Sequence, residues 1–143
     1  MNADCLFCRL IQGDLPMYRV YEDDNIVVML DIHPINPGHV LVVPKAHIGS
    51  FYDVEDALYI EMMRVVKRAA RAIKATFEPL QVVLATAGVG NRHVHVHVLP
   101  VYSMYDVVPR EVIERQEAHS PPAEQLTAVA HDLAGYITSQ PPC

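Results

Sequence analysis

Apolar residues recur along the chain with two different spacings. Runs that are continuous or alternate every second residue predict β-strands over 17–23, 26–32, 39–45, 81–87 and 93–101. Apolar residues spaced three and four apart predict one long helix over 54–77. One or two helical turns over 5–13, stopped by Gly13, and a helix within 120–137, with Ser120 as its N-cap, complete the predicted elements.

The order of these elements predicts the fold class. Turn residues at 23–25 join the first two strands into a hairpin, and loops over 33–38 and 88–91 separate later strands. The whole order predicts an α+β domain with a mostly antiparallel five-stranded sheet, one long helix and a C-terminal helix, with the helices on one face. A chain of 143 residues suits a single domain, 1–143, and is short for two.

Composition and charge narrow the functional classes. Hydrophobic residues make up 51% of the chain and the net charge is −6, with no basic stripe, so we expect no nucleic-acid partner. No apolar run reaches the roughly 18–20 residues that span a bilayer, so we expect no membrane partner. The N-terminus lacks the pattern of a secretory signal, which predicts a cytoplasmic protein.

The most unusual stretch is RHVHVHVLP, residues 92–100. Side chains alternate between the two faces of a strand, so the three valines at 94, 96 and 98 predict a core face. The histidines at 93, 95 and 97 share the other face, which must meet solvent, a ligand or a partner. At about 3.3 Å per residue, the Cα atoms of His93 and His97 lie roughly 13 Å apart. His93 and His97 therefore cannot easily bind the same metal ion, whereas either of them could share an ion with His95.

Cys5 and Cys8 form a C-x-x-C pair near the N-terminus. Three cysteines do not make a disulfide framework, so the pair is interpreted as metal ligands, as a redox pair or as buried free thiols. Combined with two histidines, two cysteines form a Cys₂His₂ set, which is a closed tetrahedral donor set for zinc.

The segment HVHVHVL, residues 93–99, matches all seven positions of the histidine triad signature. The upstream stretch 5–48 also resembles the N-terminal half of the histidine triad family, with its C-x-x-C start, the LDIHPINPGH segment and VPKAH. The resemblance covers about residues 4–101, while 102–143 is a family-variable region. It implies a HIT-like fold, usually a homodimer whose sheet extends across both protomers, and a zinc-bearing bacterial-type subset.

The resemblance also implies an activity. Family members are nucleotide hydrolases or transferases that act at the α-phosphate of nucleoside phosphoramidates, dinucleoside polyphosphates and related conjugates, here purine nucleotide substrates. The middle histidine attacks phosphorus and forms a covalent nucleotidyl-histidine. A neutral imidazole suits this role, since its unperturbed pKa is about 6.5.

The resemblance assigns roles to individual residues of this chain. His95 is the nucleophile, His97 stabilises charge on the phosphate, and His39 supports them. A structural zinc ion is held by Cys5, Cys8, His47 and His93. The nucleotide is bound by Phe7, Leu15, Asp31, Ile32, Gly88, Gly90 and Asn91.

The loop before the histidines departs from the family pattern. The family commonly has G-Q-(S/T)-V, where this chain has residues 88–91, GVGN, so the usual hydroxyl is missing at Gly90. This difference favours one alternative, a non-catalytic nucleotide-binding protein. A second alternative is a zinc-dependent hydrolase that uses an H-x-H pair at an open metal site.

Overall fold

A computed structural model describes residues 4–86, 90–107 and 121–140. The helices are α1 (Leu6–Gln12), α2 (Asp56–Phe77) and α3 (Ala123–Ser139), with 3₁₀ turns at Phe51–Asp53 and Met104–Val107. The strands are β1 (Arg19–Glu22), β2 (Ile26–Leu30), β3 (Val40–Pro44), β4 (Gln81–Ala85) and β5 (Val96–Val101). No helix within the described ranges is long and apolar enough to cross a membrane.

The five strands form one sheet in the order β1-β2-β3-β5-β4. Every neighbouring pair is antiparallel, which confirms the predicted α+β class and the predicted hairpin. The pairing of β3 with β5 places Leu41 opposite His97, so the loop that enters β3 lies beside the histidine stretch. β4 is an edge strand, and its outer side has no strand partner among the described residues.

One face of the sheet packs on α2 and α3. Alternate residues of the central strands point to these helices, including Val28, Val42 and Val98, and are buried with the apolar stripe of α2. The valines at 94 and 96 join the same cluster, which confirms that the valine face of the histidine stretch is a core face. A helix needs only one apolar stripe to cover a sheet in this way.

The two helices of the predicted order, α2 and α3, lie on the same face, as predicted. The opposite face is covered by the short helix α1, which the prediction did not place. Phe7 and Cys8 of α1 pack on Val27, Met29, Leu41 and Val43, which alternate with the residues of the first core. This second layer buries His93 and His95, which are 0% and 6% exposed. The histidine face therefore meets a segment of its own chain as well as a cavity.

Several predicted boundaries shift. The predicted strand 93–101 begins only at Val96, because β3 pairs with β5 no further than Val42 with Val96. Before Val96 the backbone bonds to loops instead, with the Val94 amide donating to the Ile48 carbonyl and the His93 amide to the Asn91 carbonyl. The C-terminal helix has Pro122 as its N-cap residue, not Ser120, which lies outside the described residues. Residue 87, at the end of the strand predicted over 81–87, and residues 88 and 89 of the 88–91 loop also lie outside them.

Candidate active site and cysteine–histidine cluster

His95 has a fixed tautomer. Its Nδ1 atom lies 2.7 Å from the carbonyl oxygen of His93, and a carbonyl oxygen only accepts hydrogen bonds. Nδ1 must therefore carry the proton, which leaves a lone pair on Nε2 when the ring is neutral. The ring is held between Phe7, at a centroid distance of 4.7 Å, and His97, at 4.9 Å. Burial and these contacts hold the imidazole in one place, with the lone pair of the neutral ring on Nε2.

His39 and His97 form a directional chain of hydrogen bonds. The Ile35 amide donates to Nδ1 of His39 over 3.3 Å, so that nitrogen has the lone pair. Nε2 of neutral His39 then carries the proton and donates to Nδ1 of His97 over 2.9 Å. The remaining nitrogen of His97, Nε2, carries its own proton and is available as a donor. The order of donors and acceptors makes His97 a neutral N–H donor beside His95.

Burial keeps both of these histidines neutral. It lowers the pKa of His39 to about 3 and that of His97 to about 4, with repulsion between imidazolium charges as a second cause. Burial also raises the pKa of Asp31, against the lowering effect of a hydrogen bond from the His33 amide. Oδ2 of Asp31 lies 3.6 Å from Nε2 of His39. Because His39 is neutral, this contact is not an ion pair.

A buried carboxylate, that of Asp106, holds the loop that enters β3. Asp106 is 4% exposed and accepts hydrogen bonds from the Asn36 side chain and from the amides of Tyr102 and Ser103. Asn36 also donates to the Pro100 carbonyl, which ties the 33–38 loop to the end of β5. The sequence prediction missed this link, and neither residue belongs to a motif that indicates it. The link positions the Ile35 amide that sets the tautomer of His39.

Gly38 has a conformational reason to be glycine. Its φ is +93°, and a Cβ atom there would lie 2.6 Å from the ring of Phe77, at the end of α2. The glycine therefore allows the loop to pack on α2 immediately before His39.

Four potential metal ligands meet between α1 and the start of the histidine stretch. The Sγ atom of Cys5 lies 3.3 Å from Nδ1 of His93, and Sγ of Cys8 lies 3.4 Å from Nδ1 of His47. Nδ1 of His93 is also 3.7 Å from Cys8 Sγ and 3.3 Å from Nδ1 of His47. All four ligand atoms lie within 4.8 Å of one another.

These distances fit a zinc ion. With Zn–S bonds of about 2.3 Å and Zn–N bonds of about 2.0 Å, the ligand atoms of a tetrahedral site lie about 3.3–3.8 Å apart. Nε2 of His93 lies 2.8 Å from the Pro44 carbonyl, so it carries the proton and Nδ1 offers its lone pair to the cluster. The donor set and the tautomer both suit a closed structural site.

The histidine triad is therefore divided between two sites. His93 belongs to the cysteine cluster, while His97 lies within 4.8 Å of potential ligand atoms of Asp31 and His39. This separation agrees with the distance argument against a single metal site for the whole row.

A family model described as HIT domain matches residues 12–104, which is more than half of the chain. This chain belongs to the HIT family. The family identity confirms the resemblance seen in the sequence, and the five-stranded antiparallel sheet with its helices matches the HIT fold.

Similar proteins align with most of this chain. Protein hit of Bacillus subtilis is 38% identical over 108 residues, covering 72% of this chain and 74% of its own. The adenosine 5′-monophosphoramidase HNT1 of Saccharomyces cerevisiae is 34% identical, covering 70% and 64%. The crystal structure of a Zn-bound histidine triad family protein from Mycobacterium smegmatis superposes with a TM-score of 0.78, at 26% identity and 94% coverage of both chains. These likenesses support a nucleotide hydrolase at the level of the family.

The predicted nucleotide-binding residues of this HIT protein fall in three places. Phe7 is buried against His95, and Asp31 lies beside His39. Leu15 is half-buried after α1, and Ile32 is exposed after β2. Gly90 and Asn91 are exposed beside the cysteine–histidine cluster, and Gly88 lies outside the described residues.

We expect the free energy of unfolding to fall as the pH decreases from about 6.5 towards 4. His39 and His97 have folded-state pKa values of about 3 and about 4, whereas unfolded histidines bind a proton near pH 6.5. The unfolded chain therefore binds more protons in this range, so at pH 5 each histidine lowers stability by about 2 kcal/mol relative to pH 7.

Urea unfolding of the wild type and of His39→Asn at pH 7 and pH 5 tests this prediction. Asparagine keeps a polar side chain and does not titrate, and both proteins retain the cysteine cluster. We expect the variant to lose about 2 kcal/mol less between the two pH values. An equal loss in both proteins would show that His39 is not held neutral by the fold.

Proposed function

We propose that this HIT protein hydrolyses or transfers nucleotides at the α-phosphate of purine nucleoside phosphoramidates or related nucleotide conjugates. The observation that supports this most is the orientation of His95, whose Nδ1–H donates to the His93 carbonyl and whose Nε2 lone pair is therefore the reactive one. The phosphoramidase activity named for the yeast relative agrees with this substrate class.

The reaction proceeds in two displacements. The lone pair of His95 Nε2 forms a bond to the α-phosphorus, and the bond from phosphorus to the leaving nitrogen or oxygen breaks, with its electron pair staying on the leaving group. A leaving nitrogen takes a proton from solvent as this bond breaks. Water then attacks the same phosphorus and releases a proton, and the electrons of the N–P bond return to Nε2. The net products are a nucleoside monophosphate and the protonated leaving group, or a transferred nucleotide when another acceptor replaces water.

The neighbouring histidines support this chemistry as hydrogen-bond donors. His97 presents Nε2–H to a phosphate oxygen and stabilises negative charge as it develops. His39 keeps that proton on Nε2 by donating to the other nitrogen of His97. Because the pKa values of both are low, neither takes up a proton near pH 7, and the donor pattern is preserved.

The nucleoside is proposed to lie along the residues that flank these histidines. The Asp31 carboxylate suits the ribose hydroxyls, while Phe7, Leu15 and Ile32 offer apolar contact to the base. The backbone amides of Gly88, Gly90 and Asn91 suit phosphate oxygens, since glycine permits close approach.

Product analysis distinguishes this activity from the non-catalytic alternative. Incubation with an adenosine 5′-phosphoramidate is expected to release adenosine monophosphate and the free amine in equal amounts, measured by chromatography. Calorimetric binding of adenosine monophosphate without release of product from any nucleotide conjugate would instead identify a nucleotide-binding protein.

We also propose that Cys5, Cys8, His47 and His93 hold a structural zinc ion. When bound, zinc would join α1 to the histidine stretch, because two of its ligands lie on or directly before α1 and one begins that stretch. Buried thiols that face imidazole nitrogens suit this role better than redox chemistry. Thiolate ligands persist in a reducing compartment, which agrees with the proposed cytoplasmic location.

A homodimer with one continuous sheet is the proposed assembly. β4 (QVVLA) is an edge strand with no proline and no charge, so it lacks the features that prevent strand pairing. Leu84 on this strand is 45% exposed and Leu80 just before it is 76% exposed. A second copy of β4 would cover both side chains.

We expect Leu84→Asp to convert the dimer to a monomer, because it places like charges opposite each other at an apolar strand edge. Sedimentation equilibrium at about 10 μM measures the change, and Ala128→Asp, on the exposed side of α3, is the matched control. A wild-type protein that is monomeric at this concentration, or a variant that stays dimeric, would contradict the proposed interface.

A further inference from the structure

A groove of about 410 Å³ lies beside the proposed nucleophile. Its walls include Thr86, Arg92 and His95, together with Ser50 and Tyr52 from the 3₁₀ turn and the residue before it. A second cavity of similar volume shares Ser50 and Arg92 with the groove and extends towards Gly90 and His47. Arg92 therefore stands where the two spaces meet, and His95 borders only one of them.

Arg92 supplies the positive charge of this groove. Its side chain is exposed and makes no ion pair or hydrogen bond with any other residue in the described ranges. No carboxylate lines the groove beside His95 in that part of the chain, whereas Asp4 and Asp53 line the second cavity. The half-buried Lys45, by contrast, pairs with Glu22. An unpaired guanidinium in the groove that His95 also lines favours a negatively charged group there.

The position of Arg92 is fixed by its neighbours. The residue before it, Asn91, accepts a hydrogen bond from the His93 amide, and the His93 ring is held by the cysteine cluster and the Pro44 carbonyl. Only the long side chain of Arg92 remains free to follow a ligand.

We propose that Arg92 selects conjugates whose leaving group is itself an anion, such as a second phosphate or a sulfate, over conjugates that release an amine. This inference rests on the proposed function of His95. An anionic leaving group departs with the electron pair of the broken bond, and the guanidinium offsets the added negative charge. An amine takes up a proton when it leaves and becomes a cation near pH 7, which Arg92 repels.

Two substrates that share one nucleoside test the proposal kinetically. The value of kcat/KM is measured for a nucleoside 5′-phosphosulfate and for a 5′-phosphoramidate, with wild type, Arg92→Gln and Arg92→Lys. We expect Arg92→Gln to lower the kcat/KM for the phosphosulfate, relative to that for the phosphoramidate, about tenfold. Arg92→Lys, which keeps the positive charge, should restore most of the wild-type ratio. Arg71→Gln, an exposed arginine on α2, is the matched control and should not change the ratio.

A binding experiment separates this inference from the proposed reaction. Calorimetry compares a nucleoside monophosphate with a methylene-bridged diphosphate, whose second phosphate cannot be released by hydrolysis at the bridge. We expect Arg92→Gln to reduce the preference for the diphosphate about tenfold, and added salt to weaken it in the wild type. Equal weakening of both ligands, or none, would overturn the role of Arg92 even if turnover is observed. If Arg92→Gln lowers the preference for the diphosphate but the wild type shows no turnover, the proposed reaction is overturned and the role of Arg92 in binding stands.

Discussion

Replacing His95 by alanine or asparagine is expected to lower kcat/KM for every nucleotide conjugate by at least about 10³-fold. Nucleophiles that form covalent intermediates carry effects of this size, because their removal deletes a reaction path and not a binding contact. The asparagine variant separates catalysis from folding better than the alanine variant. Its amide N–H is able to replace the hydrogen bond to the His93 carbonyl, while its side chain offers no nucleophilic nitrogen.

The folded state of these variants must be shown separately. His95 is buried and packs on Phe7, so the alanine variant is expected to lose about 1–3 kcal/mol of stability, and the asparagine variant less. Nucleotide affinity, measured by calorimetry, should change by less than about tenfold in the asparagine variant. His131→Ala, at an exposed position on α3, is the matched control and should retain full activity. Turnover by His95→Asn at the wild-type rate would remove His95 from the mechanism.

Removing one ligand of the cysteine cluster is expected to have the largest effect on stability. Cys8 is 0% exposed and its sulfur lies within 3.7 Å of two imidazole nitrogens. Zinc binding couples directly to folding, so Cys8→Ser should lose bound zinc and at least about 3 kcal/mol of stability. For a domain of this size that corresponds to a fall in Tm of about 10 °C.

Chelation gives a control within the same experiment. Treatment with a strong chelator should lower the Tm of the wild type and leave that of Cys8→Ser nearly unchanged, so the two values converge. At a temperature where both remain folded, kcat of the chelated wild type should stay within about threefold of the untreated protein. A folded, chelated protein without activity would favour the zinc-dependent hydrolase instead. A purified wild type that contains no zinc and resists chelation would contradict the structural site.

The order and type of the helices and strands could be predicted, because the spacing of apolar residues is most regular in elements that pack against the cores of the domain. Helix α2 and strands β2, β3 and β5 are central elements whose apolar spacing matches their cores. The sequence predicted the helical turns of α1, but not the face of the sheet that α1 covers. The continuous apolar runs at 26–30 and 40–44 contained the missing signal, because a strand that is apolar on both faces must be covered on both.

The chemistry of the site was only partly accessible from the sequence. The motif places three histidines on one side of the chain, but the tautomers of His93 and His97 depend on backbone groups distant in sequence. These are the Pro44 carbonyl for His93 and, through His39, the Ile35 amide for His97. The buried Asp106 that anchors the 33–38 loop lies 70 residues from Asn36, so no local pattern connects them. Arg92 did not stand out either, since its significance comes from the groove beside His95.

Mapping the covalent intermediate tests directly whether His95 is the nucleophile. The protein is mixed with a nucleoside 5′-phosphoramidate, quenched in the steady state under conditions that preserve phosphorus–nitrogen bonds, digested and examined by tandem mass spectrometry. We expect one nucleoside monophosphoryl group on His95 and none in His95→Asn. Turnover of the same substrate without any adduct on the 92–100 peptide, or with the adduct on another residue, would contradict this expectation.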